Sequence, residues 1–261
     1  VNACGVRSRW SMESFIEVTI KRLSNEVGNS KVLMFLSGGV DSSVAFALLN
    51  KALGEDKLLG LYINNGFMRK HESEDILTRY SKLGYKNIQS RNYSSFFLDA
   101  VSGQVDPQTK RQIIGATFIK MRDRFLNELN LNAQDWMLGQ GTLYPDIIES
   151  GGTEYAEVIK SHHNRVQEVL DLVSSGHVVE PLKDLYKDEV RQLGTLLGLP
   201  ESIVWRHPFP GPGLSINVLC AHGDESFPEI ETTLKEVRDC LKDCECDHLV
   251  LPVRSVGVQG D

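Results

Sequence analysis

Seven consecutive residues stand out for chemistry: Ser37, Gly38, Gly39, Val40, Asp41, Ser42 and Ser43, in the stretch VLMFLSGGVDSSVAFALL. The five residues before Ser37 are apolar, and an apolar helical pattern follows Ser43. A glycine turn that opens a helix attracts anions, because free backbone N–H groups and the helix dipole point there. Gly38 and Gly39 let backbone approach a ligand closely, and Ser37, Ser42 and Ser43 add hydroxyl donors. Together they describe a nest for phosphate oxygens. The alternative is a plain strand–helix turn capped by Asp41 or Ser42. No GK[ST] follows, so this is not a Walker A loop, and it lacks the GxGxxG dinucleotide pattern. An acid amid phosphate donors, Asp41, calls for an explanation.

Other polar clusters have bland rivals. Asp146 and Glu149 are three apart in PDIIES, so a helix beginning there carries both near one face. They could coordinate a metal, or merely supply negative charge at a helix N-terminus. Lys187 and Asp188 in KDEVR mark a helix start or a solvated helix face. Lys110 and Arg111 in DPQTKRQIIG precede an apolar stripe and read as an anion site or as surface charge. CLKDCEC could hold a metal but also reads as reduced thiols in a charged segment, and the neighbours His162 and His163 lack a third ligand.

The elements that must position these groups alternate between strand and helix. Ile16, Ile20, Leu23 and Val27 predict a helix over 11–27, stopped by Gly28. Strands are predicted at 32–36, 58–63, 87–92, 136–140 and 177–182, and helices at 42–53, 71–83, 107–130 and 187–198. That alternation implies an α/β fold, a parallel sheet with helices on both faces. Ligands of such sheets sit at the strands' carboxyl ends, so the loops after Leu36, Ile63 and Leu138 should face one site. From Arg206 the chain turns rigid and rich in Pro and Gly (RHPFPGPGL), and a boundary is expected there. A helix near 226–243 and a strand in HLVLPVRSVGV should follow. The formal charge of −7 offers no global field for nucleic acid. No apolar run reaches the ~18 residues needed to span a bilayer. The thiol usage and lack of a signal peptide suggest a cytoplasmic protein, and the terminal residues suggest a piece of a longer one.

SGGVDSS resembles the signature of the N-type ATP pyrophosphatases, the PP-loop enzymes. GQGTLYPDIIES, IKSHHN, EPLKDLYKDEVRQLG, RHPFPGPGLS and LPVRSVGVQGD, in that order, resemble GMP synthetase, in its longer eukaryotic form. The resemblance implies an adenine-nucleotide α-hydrolase-like domain over 11–205. It makes 1–10 a remnant of an interdomain linker and 206–261 the start of a small, incomplete α+β dimerisation and XMP-binding domain. It implies cleavage of ATP between its α and β phosphates. Asp41 then becomes a Mg²⁺ anchor, because a carboxylate among phosphates is repulsive unless a divalent cation bridges them. The implied reaction is adenylation of XMP at O2, then amination to GMP. Ammonia would come from a glutamine amidotransferase domain absent from this chain. The family forms homodimers, or monomers in the longer eukaryotic form. By the same resemblance, Asp146, Glu149, Lys160 (on a lid), Lys187 and Asp188 serve catalysis. Arg111 takes the XMP phosphate, Arg206, Pro208 and Gly211 wall the XMP pocket, and Asp261 contacts XMP. Adenine could lie against Ile63, with Gly141 near the ribose.

Overall fold

The computed structural model describes residues 10–149, 172, 175–209, 211–217, 226–244 and 249–252. Five strands, β1 (Lys31–Phe35), β2 (Leu58–Asn64), β3 (Ile88–Asn92), β4 (Trp136–Gly139) and β5 (Val178–Val179), form one all-parallel sheet in the order β3-β2-β1-β4-β5. The chain runs outward from β1 to β3, then returns to β1's other side for β4. A right-handed crossover that reverses direction must place its helices on the opposite face. So α1 (Met12–Val27), α2 (Val40–Leu53) and α3 (Glu72–Lys82) pack on one face, joined by α7 (Lys187–Leu196). On the other face lie α4 (Ser94–Ala100) and α5 (Pro107–Glu128). α6 (Tyr144–Glu149) follows β4, and the short helices α8 (Glu201–Val204) and α9 (Leu214–Asn217) follow α7. The last described helix is α10 (Ile230–Cys240).

Alternation along β1 decides which residue joins which core. Val32 and Met34 join the α1/α2 side, and Leu33 joins the α5 side. Met34 pairs in register with Gly60 on one neighbour and Gly139 on the other. Those glycines make room: a Cβ at Gly60 would lie 2.8 Å from both Leu36 Cδ1 and Phe46 Cε2. Hence Phe46 of α2 can press into the sheet, fully buried. α2 is buried nearly all round because α1 and α7 cover its outer side. Gly194 brings α7 close, since a Cβ there would be 2.9 Å from Val44 Cγ2.

The predicted elements recur with shifted ends. α2 starts at Val40, so Asp41 lies inside its first turn. The fifth strand shrinks to Val178–Val179. α4 and the α9 turn were not anticipated. Of the strand expected in 248–258, Leu249–Pro252 are described and carry none.

Residues 206–209 and 211–217, from the segment expected to open a second domain, form a strap tied across the sheet's carboxyl edge. Asn65 Nδ2 donates to the Gly211 carbonyl at 3.3 Å, and the Leu214 amide donates to the Phe67 carbonyl at 2.8 Å. Lys110, only 2% exposed, donates to the Ser215 carbonyl at 3.0 Å. Gly213 holds φ at +67°, and a Cβ there would collide with the Phe67 carbonyl.

Two substitutions test this packing. Gly60→Val should lower stability by about 1–3 kcal/mol through overpacking, read as a lower urea midpoint with an unchanged slope. Gly213→Ala should strain the strap by about 1–3 kcal/mol and speed hydrogen exchange at the Leu214 amide. Wild-type protection of that amide in the variant would mean that the strap is held elsewhere.

Candidate functional site

Because strand order reverses at β1, the ends of β1 and β4 splay apart and leave a crevice. Two cavities adjoin there. The first, about 250 Å³, is lined chiefly by Phe35, Leu36, Leu61, Ile63, Phe118, Ile119 and Leu138, with Asn65 and Gln140 as polar groups. The second, about 230 Å³, is lined by Ser37, Gly39, Val40, Asp41, Lys187, Arg191, Arg206, His207, Pro208, Phe209 and Gly211. Ser37 and Gly211 line both. An apolar slot next to a cavity with three cations and one carboxylate on its wall suits a flat base joined to a polyanion.

The loop after β1 is organised by its own hydroxyls. Ser42 Oγ donates to the Gly39 carbonyl at 3.1 Å and lies 3.1 Å from Ser37 Oγ. The Gly39 amide donates to Ser37 Oγ at 3.3 Å. Gly39 precedes the start of α2 and gives it no side-chain cap, so the first-turn amides stand uncapped at the cavity rim. Ser43 is a correction. It is 2% exposed, donates to the Gly39 carbonyl at 2.8 Å and meets Tyr80 Oη at 2.9 Å. Its hydroxyl braces the loop from the core side and does not face the cavity. Burial pushes the Tyr80 hydroxyl up to about 12, so it remains protonated there.

Lys187 stands at the start of α7, whose Val190 and Leu193 are buried. Glu189 Oε2 accepts the Tyr186 amide at 2.8 Å and squares off that helix end. Lys187 Nζ then meets Asp41 Oδ2 at 2.5 Å. Asp41 Oδ1 is buried and has no hydrogen-bond partner among the described residues. One carboxylate oxygen left unsatisfied beside a phosphate nest fits a Mg²⁺ ion that takes its other ligands from phosphates and water. Among the described residues no group of three or more His, Cys, Asp or Glu could hold a metal by itself. Cys240 and Cys244 are exposed free thiols.

Arg206 closes the second cavity. Its Nη1 donates to the Gly38 carbonyl at 2.5 Å, and its Nη2 pairs with the buried Glu72. Burial, helped by nearby Arg69, pulls its pKa below the usual arginine value.

Of the residues expected at the site, Ser37, Gly39, Val40, Asp41, Lys187, Arg206, Pro208 and Gly211 converge on the second cavity. Gly38 sits behind it under Arg206, and Ile63 lines the first cavity. Gly141 abuts the first turn of α2, with a hypothetical Cβ 3.3 Å from the Ser42 nitrogen. Ser42 bridges the loop, as above. Asp188 does not line either cavity: its side chain is 92% exposed and pairs at 2.9 Å with Arg191, which lines the second. Asp146 accepts the Leu143 amide at 2.8 Å at the start of α6, and Glu149 ends that helix. Arg111 lies half-buried just past the first turn of α5, close enough to Asp106 to help hold that carboxylate below its usual range, after the larger effect of the Thr109 amide. It lines neither cavity. Lys160, His162, His163 and Asp261 lie outside the described residues.

Sequence reasoning missed Arg191, although its place four residues after Lys187 puts both on one helix face. Its guanidinium stacks on Trp205 at 5.0 Å from the ring centroid. His207 and Phe209 were hidden inside a segment read for its prolines. Gln140 stood unremarked inside GQGTLYPDIIES, and Asn65, Arg69 and Glu72 carried no motif.

Comparison with known proteins fits this geometry. The family model described as NAD synthase matches residues 12–147. The chain is 45% identical to a probable glutamine-hydrolysing GMP synthase of Leptospira interrogans, over all of this chain and 43% of that protein. It is 44% identical to the GMP synthase of Lactococcus lactis and 37% identical to that of Dictyostelium discoideum, covering 51% and 42% of them. The chain thus spans about half the length of these relatives, or somewhat less. Among solved structures, an NH3-dependent NAD synthetase from Campylobacter jejuni shares the fold with a TM-score of 0.55 at 16% identity, covering 89% of this chain and 86% of that one. An NMN synthetase from Francisella tularensis does so at 0.53 and 17%, covering 91% and 89%. With its strand order, glycine–serine loop and matching sequence, the chain belongs to the NAD synthase-type family of PP-loop ATP pyrophosphatases and matches the GMP synthases along its whole length.

Proposed function

We propose that this chain is the synthetase part of a GMP synthase, which adenylates XMP at O2 with ATP and lets ammonia displace AMP. The observation that carries this reading is the pair of adjoining cavities that share Ser37 and Gly211. The apolar slot takes the adenine, with Ile63 on its wall and Asn65 and Gln140 in reach of ring nitrogens. The cationic cavity takes the β and γ phosphates, against the uncapped amides at the start of α2.

XMP O2 attacks the α-phosphorus, and the bond from that phosphorus to the β-bridging oxygen breaks, so pyrophosphate leaves. Ammonia then adds at C2 and AMP leaves, giving GMP. Such transfers depend mainly on placement and on neutralising charge. Lys187 and Arg191 flank the leaving group. Asp41 would hold Mg²⁺, which when bound supplies charge neutralisation for the departing pyrophosphate. Arg111 receives the XMP phosphate as a guanidinium fork, and Asp146 and Glu149 serve the acceptor side. Lys160 and Asp261 keep their proposed roles on the lid and against XMP. Ammonia comes from a glutamine amidotransferase domain, the assembly is a homodimer or a monomer, and the setting is the cytoplasm. The name shared by the GMP synthases over the full chain favours XMP as the acceptor.

The native polypeptide, given ATP, Mg²⁺, XMP and ammonium, should release pyrophosphate and GMP in equal amounts. Pyrophosphate release that ignores XMP would sink the assignment. Asp41→Asn should fold normally yet lose turnover by several kcal/mol of barrier, and normal rates at ordinary Mg²⁺ would remove Asp41 as an anchor. Arg111→Ala should raise the KM for XMP about 10-fold or more, the loss of one charge-assisted bond, and leave the KM for ATP nearly unchanged. Arg111→Lys should recover part, because a point charge lacks the fork. Equal rises for both substrates would place Arg111 elsewhere in the reaction.

A further inference from the structure

Glu72 is a carboxylate with 6% exposure that none of the chemistry above uses. It opens α3 on the loop that leaves β2. Its Oε2 accepts Arg69 Nε at 2.7 Å, and its Oε1 pairs with Arg206 Nη2. From there the two arginines lead apart. Arg69 lays its guanidinium over the Phe209 ring, 4.5 Å from the centroid, on the strap. Arg206 passes Nη1 to the Gly38 carbonyl at 2.5 Å, in the loop after β1.

That second contact fixes more than a carbonyl. The Gly38 carbonyl and the Gly39 N–H belong to one planar, trans peptide and point in opposite directions. Drawing the carbonyl toward Arg206 therefore turns the Gly39 N–H the other way, toward Ser37 Oγ, which accepts it at 3.3 Å and lines the cationic cavity. Gly38 has φ +74°, and a Cβ would lie 2.6 Å from Arg206 Nη1, so glycine alone allows both the turn and the contact. A glycine peptide of this kind flips readily unless something holds it.

We propose that Glu72 is a positioning residue for the phosphate-binding loop: through Arg206 it holds the Gly38–Gly39 peptide with its N–H toward Ser37 Oγ on the cavity side, where a pyrophosphate oxygen would replace that hydroxyl as acceptor. This inference rests on reading 37–43 as a polyphosphate site. Without Glu72, Arg206 loses its charged anchor, the Gly38 carbonyl loses its donor, and the peptide samples both orientations. The rival is a carboxylate that only neutralises two buried cations. That rival predicts a lower melting temperature and intact ligand affinity in the folded protein.

The test is calorimetric titration of inorganic pyrophosphate with Mg²⁺ into the native polypeptide. It compares wild type, Glu72→Gln, Glu72→Asp, Arg206→Met and the Glu72→Gln/Arg206→Met double variant, at a temperature where circular dichroism shows each folded. Glu72→Gln should bind about 10-fold more weakly or worse, as expected when charge-assisted geometry is lost. Glu72→Asp should recover part. The double variant should bind no more weakly than Arg206→Met, because Glu72 acts through that arginine. Wild-type affinity in Glu72→Gln overturns the proposal, and so do losses that add in the double variant. If Glu72→Gln does not fold, the neutral double variant decides alone: binding weaker than in Arg206→Met overturns the proposal. Wild type that fails to bind pyrophosphate sinks the phosphate-site reading itself, and this inference with it.

Discussion

Strand order reverses at β1, and handedness leaves the chain few ways to do it. Crossovers that run outward through β2 and β3 put α2 and α3 on one face, and the return to β4 puts α4 and α5 on the other. The helices therefore part where β1 ends, and the start of α2 stands open between the loops of β1 and β4. The glycines flanking Met34 follow from the same place. The sheet must admit Phe46 for α2 to lie close, and Gly60 and Gly139 leave the space. Gly194 does likewise for α7, and this brings Lys187 over Asp41.

Charge is organised in two tiers around that opening. The outer tier touches the cavity: Asp41 against Lys187, with Arg191 stacked on Trp205. The inner tier is Glu72 with Arg69 and Arg206: Glu72 is buried behind the cavity wall, Arg69 reaches the strap through the Phe209 ring, and Arg206 itself closes the cavity. Removing charges from water is costly unless each is paired and hydrogen-bonded. Here the pairing spans three separate stretches of chain, so it also fixes where those stretches lie.

The sheet was legible in the sequence because parallel strands buried on both faces read as short apolar runs between helical periods. VLMFL and LLGLYI needed no tertiary information. β5 is two residues long because only Val178 and Val179 meet β4, and a longer apolar run gave no hint of where pairing stops. That the loop after β1 lines a cavity was legible from its glycine and serine types alone. Ser43 was not, since successive residues at a helix start look in different directions and only tertiary packing shows that Tyr80 waits behind it. The exposure of Asp188 was hidden for a similar reason: beside Lys187 in sequence, it is turned to solvent by the helix. The strap was legible as rigid backbone and, by resemblance, as a pocket wall, but what ties it down was not. Its anchors, Asn65, Phe67 and Lys110, lie about a hundred residues or more earlier, and nothing local to them, DPQTKRQIIG around Lys110 included, points to the strap.

The bond from Arg206 to Gly38 spans 168 positions, and that from Gly211 to Asn65 spans 146. Loops so long are slow to close, and contacts that depend on them form late in folding. Strands β1 to β3 with α2 and α3 can assemble during synthesis from neighbouring residues. The cationic cavity cannot, because its last wall is made only after Gly211 has left the ribosome. Until then a glycine-rich loop and an uncapped helix start stand exposed on an otherwise formed sheet. The binding site therefore matures after the sheet that carries it, and a nascent chain halted before the strap would carry the sheet without the pocket.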